Sequence, residues 1–362
     1  MANLEDLDKV LALSKGSTWG TAVNATVPYD GMFSWTGTQE QSRGVGVNQK
    51  YLTHIRRTNF SVEATFEGMY TFDGAINHLL FGMIRPTSST PSEQNVGEGD
   101  YLHTWALGHP SSIPFYTIAW MENSTTALEI PSFQVQSITI NAPINQPMTY
   151  SVTGVGDRIV QGGENTYAEL ETVGGSPLAY DMAIFGCGGT PANHFFRLDD
   201  DTSGLASGDD MPVNNVSFTL SRAETAQRTT RGANSPYILQ PRETGRVTGQ
   251  LSFTLNVEDV SAIDFMADFI ASTTETAKNY QAKFLVDGPQ IGSGDNKTFE
   301  AQFPYLCYST ERPTGFNRNE DQISNPVVTF EIMGDPSYSP KTGQNDDVPM
   351  SLLLTNTRST SY

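Results

Sequence analysis

The sequence predicts a mainly β fold with short helices, built as two tandem domains, each a β-sandwich or half-barrel carrying one helix. Three observations carry that expectation. The 362 residues include 32 Gly, 20 Pro and 10% aromatics, a composition that suits short strands joined by turns better than long helices. Apolar and polar residues alternate over several runs of strand length. A strand, an amphipathic helix and a Pro-led strand follow one another in the first half and again, in that order, in the second, as a repeated unit with loop insertions requires.

The elements follow in chain order. Residues 1–30 read as an N-terminal arm with a weak helix near 4–14. The first domain, 31–198, opens on the alternating run Met32-Phe33-Ser34-Trp35, which ends in a polar stretch and the pair Arg43-Gly44. Phe60-Ser61-Val62-Glu63-Ala64-Thr65-Phe66-Glu67-Gly68 alternates strictly and runs into a helix over 73–84, with Ile76, Leu79, Leu80 and Met83 inward. The Pro-, Ser- and Gly-rich segment near 85–112 and a second segment near 158–176 read as inserted surface loops or an arm. Between them Gln146-Pro147 opens a strand that reaches Gly156-Asp157; Pro is tolerated there because the first residue of a strand need not donate its N–H.

Residues 199–214 read as a linker, since Asp199-Asp200-Asp201-Thr202-Ser203-Gly204 is all turn chemistry. The second domain, 215–362, restates the pattern. Val216-Ser217-Phe218-Thr219-Leu220 leads to Arg231-Gly232, residues 247–255 alternate, a helix is expected over 258–271, and Asn325-Pro326 opens a strand reaching Gly334-Asp335. On this reading Phe66 matches Phe253, Ile76 matches Ile263 and Met83 matches Ile270.

Charge narrows the function. Only 14 Arg and seven Lys face 40 Asp and Glu, for a net charge of −19. Stable binding to nucleic acid needs Lys and Arg to displace counterions from phosphates, so it is not expected here. The start, Met1 to Leu7, carries acids where a secretory leader carries bases, and no run of about 18 apolar residues occurs, so the expected site of synthesis and folding is a cytoplasm. Cys187 and Cys307 are too few for a disulfide framework and are expected as buried free thiols.

Catalytic motifs are missing, and neither enzymatic activity, a metal nor a cofactor is expected. His54, His78, His103, His109 and His194 are scattered, none with the spacing of a zinc hydrolase. The sequence holds neither a Gly-x-Ser-x-Gly elbow nor a phosphate-cradling Gly-rich loop ending in Lys-Ser/Thr. Asp199, Asp201, Ser203, Gly204 and Asp210 fall at positions one, three, five, six and twelve of a calcium loop, against which a plain acidic linker is the alternative.

Duplicated β-domains carry exposed strand edges, which pairing between neighbours removes by closing a shared barrel. Two similar domains per chain would close a pseudo-sixfold ring as a homotrimer. The run Gly16-Ser17-Thr18-Trp19-Gly20-Thr21-Ala22-Val23, the 32–35 strand, the Arg-Gly after a polar hairpin, the strand-then-helix unit and the closing Pro-led strand together resemble the tail-tube (major tail) proteins of siphoviruses, in their two-domain form. The resemblance spans roughly residues 16–330.

What the resemblance implies is a structural virion protein of the viral tail, assembled in the host cytoplasm. Its rings stack into a tube that conducts double-stranded DNA during ejection without binding it stably. Implied partners are further copies of the chain, a tape-measure protein, the tail terminator and distal tail or baseplate proteins. Candidate lumen-facing residues are Asn59, Ser61, Glu63, Thr65 and Glu67 in one half and Thr248, Gln250, Ser252, Thr254 and Asn256 in the other; the alternative is the outer face of an ordinary sheet. Candidate contacts between subunits or rings are Gln39, Glu40, Arg43, Val96, Glu98, Arg228 and Arg231. A second reading is a carbohydrate- or receptor-binding module in which Trp19, Trp35, Trp105 and Trp120 stack on sugars.

Overall fold

The computed structural model describes residues 10–44, 54–87, 90–110, 112–123, 125–173, 181–186, 194–199, 204–225, 237–256, 280–308, 327–334 and 348–362, with side chains except at 40–44, 54–59 and 308. These residues form a mainly β protein with two α-helices, as the composition predicts. In chain order the first elements are β1 (Leu11–Lys15), β2 (Val27–Tyr29), β3 (Met32–Gly44), β4 (His54–Met69) and α1 (Ile76–Ile84). Then come β5 (Ser92–Glu93), β6 (Tyr101–Ala106), β7 (Tyr116–Asn123), β8 (Thr126–Pro143), β9 (Thr149–Gly156), β10 (Val160–Gln161) and α2 (Tyr167–Thr172). The rest are β11 (Phe195–Asp199), β12 (Val213–Thr225), β13 (Arg242–Leu255), β14 (Tyr280–Gln290), β15 (Asn296–Tyr308), β16 (Val327–Ile332) and β17 (Ser351–Asn356).

One set of strand pairings occurs twice. In the first half β1 pairs β7, β7 pairs β8, β8 pairs β9, β9 pairs β4 and β4 pairs β3, all antiparallel. In the second, β11 pairs β14, β14 pairs β15, β15 pairs β16, β16 pairs β13 and β13 pairs β12, again antiparallel. Registers agree rung by rung: Phe66 lies between Phe33 and Val152, and Phe253 lies between Val216 and Val328. Two of the irregularities recur as well. A bulge follows Gln39 in β3 and Arg222 in β12, and a second separates Tyr116 from Ile118 and Tyr280 from Ala282.

Strand β8 joins the halves. Its first part pairs β7, its later part pairs β9 on one edge, and residues 137–143 pair β12 on the other. The bend lies near a register shift between Val135 and Ser137. There Gly154 allows the close approach, since a Cβ at that position would lie 2.2 Å from the Gln134 carbonyl oxygen. One continuous sheet results, in the order β3-β4-β9-β8-β12-β13-β16. A second layer contains β14-β15-β17-β6, in which β6 of the first half pairs β17 of the second.

The core does not divide with the pairings. Phe66, Tyr70, Phe218, Phe253, Phe284 and Phe299 belong to one buried cluster, with Tyr70 and Phe299 rings 5.0 Å apart across the halves. The nine residues of α1 are all buried, so this helix is an interior element rather than a half-exposed amphipathic one. Its expected counterpart over 258–271 lies outside the described residues. No helix among those described is long and apolar enough to cross a membrane.

Several expectations need correction. The helix near 4–14 is replaced over 11–15 by β1, because Leu11 and Leu13 face the core in alternation and β7 offers a free edge. The segment 85–112 contains β6, which β17 captures, and 158–176 contains β10 and α2, held by the capping box of Thr166 and Glu169. Thus the first half carries two helices. Strand β11 (Phe195–Asp199), which the sequence reading divides between the first domain and the linker, pairs β14 of the second half, and the 199–214 segment includes the start of β12. Cys307 is only half-buried, and Cys187 lies outside the described residues.

Candidate functional site

The candidate site is the solvent face of the seven-strand sheet. In a strand, alternate residues point to opposite faces, and directly paired residues share a face. Val62, Ala64 and Phe66 of β4 and Leu251, Phe253 and Leu255 of β13 point to the core. Ser61, Glu63, Thr65, Glu67, Thr248, Gln250, Ser252 and Thr254 therefore point the other way, and each is half-buried or exposed. The registers bring both groups onto one surface. Glu67 lies in a row with Ser151, Thr139, Thr219, Gln250 and Glu331, passing through five successive pairings.

This surface is a lattice of hydroxyls. At the seam Ser137 and Ser221 are 3.0 Å apart and Thr139 and Thr219 are 2.9 Å apart, oxygen to oxygen. Ser252 and Thr329 repeat the arrangement at 3.1 Å. Cross-strand hydroxyl pairs of this type each contribute a few tenths of a kcal/mol, about 0.2–1. Across the patch of 61–67, 137–141, 149–153, 215–221, 248–254 and 327–331, the face carries Glu63, Glu67 and Glu331 and neither Lys nor Arg. Asn256 follows β13 and donates its N–H to the Pro212 carbonyl, while the Asn59 side chain lies outside the described residues.

The candidate contact residues scatter. Gln39 is exposed beside its bulge, and Val96 is 93% exposed. The Glu98 carboxylate is used within the chain, accepting the Ser293 N–H at 3.1 Å. Glu40 and Arg43 lie in β3 with side chains outside the described set, as Arg228 and Arg231 are altogether. Of the calcium-loop positions, Asp201 and Ser203 are outside it, and Asp210 is engaged by Arg197 at 2.6 Å. No cluster of metal-ligating side chains occurs among the described residues. Trp105 and Trp120 are buried, Trp19 donates to the Ile238 carbonyl at 3.1 Å, and Trp35 is 41% exposed.

The sequence reading missed a buried charge cluster at one end of the seam. Arg85, with left-handed backbone at φ 53°, ends α1 and forms ion pairs with Glu224 and, at 2.9 Å, Glu243. Arg222 also pairs Glu243, and its guanidinium donates to the carbonyls of Met83, Ile84 and Gly108. Two cations thus sit where the free carbonyls of α1 concentrate negative potential. Gln134 donates to Glu224 at 2.7 Å, and His109 meets Glu243 at 2.8 Å. Burial pushes Arg222 down to about 10, with the like charge of Arg85 adding to it. Burial also raises Glu224, against the pull of Arg85. No spacing could have announced these pairs, which join residues 139 and 158 positions apart.

Compared with known proteins, the chain matches no protein-family model and no curated protein sequence.

Proposed function

We propose that this chain is a structural subunit of a siphovirus-type tail tube, assembling with copies of itself into stacked rings around a channel for double-stranded DNA. One observation carries the reading: residues 61–67 and 248–254 of the two candidate lumen strings lie on one continuous hydroxyl-rich patch, and within those bounds neither segment carries Lys or Arg. Such a face offers phosphates neither counter-charge nor bidentate donors, so DNA moves past without being held. The recurrence of five pairings with their bulges supports a duplicated unit, and therefore a pseudo-sixfold ring of three chains.

In this reading the chain works without catalysis or cofactor, in the virion tail. The tape-measure protein fills the channel before DNA, and terminator and baseplate proteins meet the tube ends. A carbohydrate-binding module is less well supported, because three of the four Trp are buried or engaged within the fold. Negative-stain microscopy of concentrated protein tests the proposal: rings or tubes are expected. A monodisperse monomer at every salt and protein concentration would overturn it.

A further inference from the structure

We propose that Lys297 and Asp181 condense within the folded chain to an isopeptide bond, with Asp73 as the proton acceptor. The inference is independent of the tube reading. Three distant segments meet here: Asp73 precedes α1, Asp181 lies in 181–186, and Lys297 is the second residue of β15. The Lys297 ammonium reaches Asp73 Oδ2 at 2.5 Å and also contacts Asp181 Oδ1. The site is largely closed to water, since the Lys297 and Asp181 side chains are 9% and 2% exposed while Asp73 keeps 22%. Phe72 packs against β14 and β15 where Gly288 leaves room: a Cβ at 288 would lie 2.4 Å from the Phe72 ring and 3.1 Å from the Lys297 carbonyl oxygen.

Two carboxylates share one ammonium, and among the described residues no other Lys or Arg pairs with either. One buried negative charge would stay without a counter-charge, and protonating one acid relieves that cost. Burial raises Asp181, and the neighbouring Asp73 charge adds to the rise against the hydrogen bond from Lys297. Burial works to deprotonate Lys297, but hydrogen bonds to Asp181 and Asp73 outweigh it and hold the amine protonated, so a base is required. Asp73 is that base. It takes a proton from Nζ, and the freed lone pair attacks Cγ of protonated Asp181. As the Nζ–Cγ bond forms, the charge developing on Asp181 Oδ2 is met by the Asp73 backbone N–H, already 2.9 Å from it. The Cγ–Oδ1 bond then breaks, and Oδ1 leaves as water with a second proton shed by Nζ. The third stays on the amide, and half-exposed Asp73 returns its own to solvent. Neither oxidant nor co-reactant is consumed. Position is fixed by the backbone, where Phe72 donates its N–H to the Asp181 carbonyl at 3.1 Å.

Intact-mass spectrometry of the full chain, folded and then denatured, tests this. The wild type is expected to be one water lighter than its sequence, and tandem spectra of a digest are expected to show the Lys297 peptide joined to the Asp181 peptide. K297R keeps the positive charge but offers a guanidinium that stays protonated in place of an amine nucleophile. It is expected to fold by circular dichroism and to carry its full sequence mass. D73N leaves both reacting side chains and removes the proton acceptor, so the linked fraction is expected to fall about tenfold or more. A wild type at full sequence mass, a water loss that persists in K297R, a link through Asp73, or undiminished linkage in D73N would each overturn the assignment. Should K297R fail to fold, the wild-type digest decides, and absence of the branched peptide refutes the bond. Each readout is taken on denatured chains, so failure here leaves the tube reading untouched.

Discussion

Arg85 and Glu224 face each other with both side chains fully buried, one at the end of α1 and the other in the second-half hairpin, 139 residues later in the sequence. Removing either partner leaves an uncompensated charge out of reach of water. Arg85→Met is expected to cost about 3–5 kcal/mol, while the double change with Glu224→Met recovers most of the loss, since apolar replacements often substitute for buried pairs. Urea unfolding of the two single variants and the double variant checks it through the coupling energy.

His78 sets an acid limit. It is 4% exposed, neither ring nitrogen has a hydrogen-bond partner among the described residues, and the Tyr362 ring lies 4.9 Å away. Burial, assisted by Arg358 and Lys15, pushes its pKa down to about 3. The unfolded chain therefore takes up a proton below about 6.5 that the folded chain refuses, and stability falls as pH drops from there toward 3, by about 3–5 kcal/mol. H78L is expected to flatten this limb in thermal unfolding between pH 4 and 7.

Asp157 acts with the opposite sign. It is 1% exposed, 3.2 Å from Arg158, and burial raises its pKa to about 6 despite that neighbour. The folded state keeps its proton where the unfolded state has lost it, so its contribution is complete below about 3.8 and is lost as pH rises to about 6, roughly 2–3 kcal/mol. D157N is expected to stabilise the protein at pH 7 and to remove that slope. An unchanged melting profile would show that solvent reaches the carboxylate.

Charge on the hydroxyl face is testable directly. S137K, T139K, T219K and S221K replace solvent-facing hydroxyls beside the seam and are expected to leave the fold intact. They are also expected to create salt-sensitive binding to duplex DNA, with the logarithmic salt slope steepening by about 0.9 for each phosphate contacted. The wild type is expected to show no retention in the same filter assay at physiological salt.

Tyr362 ties 348–362 to the interior. It is 3% exposed, its hydroxyl accepts from Asn356 at 2.6 Å, and its ring lies 5.1 Å from that of Trp105. Y362A is expected to cost about 3–5 kcal/mol through the cavity it leaves, measured by denaturant midpoint. A loss below about 1 kcal/mol would mean that this segment packs only loosely.

Several elements were legible locally. Ser61 to Glu67 and Thr248 to Thr254 face solvent because side chains alternate along any strand, which covalent geometry imposes wherever the strand lies. Phe66 and Phe253 were matched from spacing alone, and both occupy the same rung of the same pairing. The capping box of Thr166 and Glu169 was equally present in the sequence, and a search for it would have found α2 inside a segment read as loop. By contrast, nothing in Leu11 to Lys15 distinguishes a strand from a frayed helix until β7 supplies its edge.

The sequence by itself determined the alternation, the repeated order of strands and the scarcity of cations, since each depends on residue type and near neighbours. Only the tertiary structure decided that β8 and β12 fuse the halves into one sheet, that both polar strings share one face, and that Arg85 meets Glu224 and Glu243. Strand partnership and buried charge pairing depend on which distant segments exclude water from each other, and that choice is made by the whole chain at once.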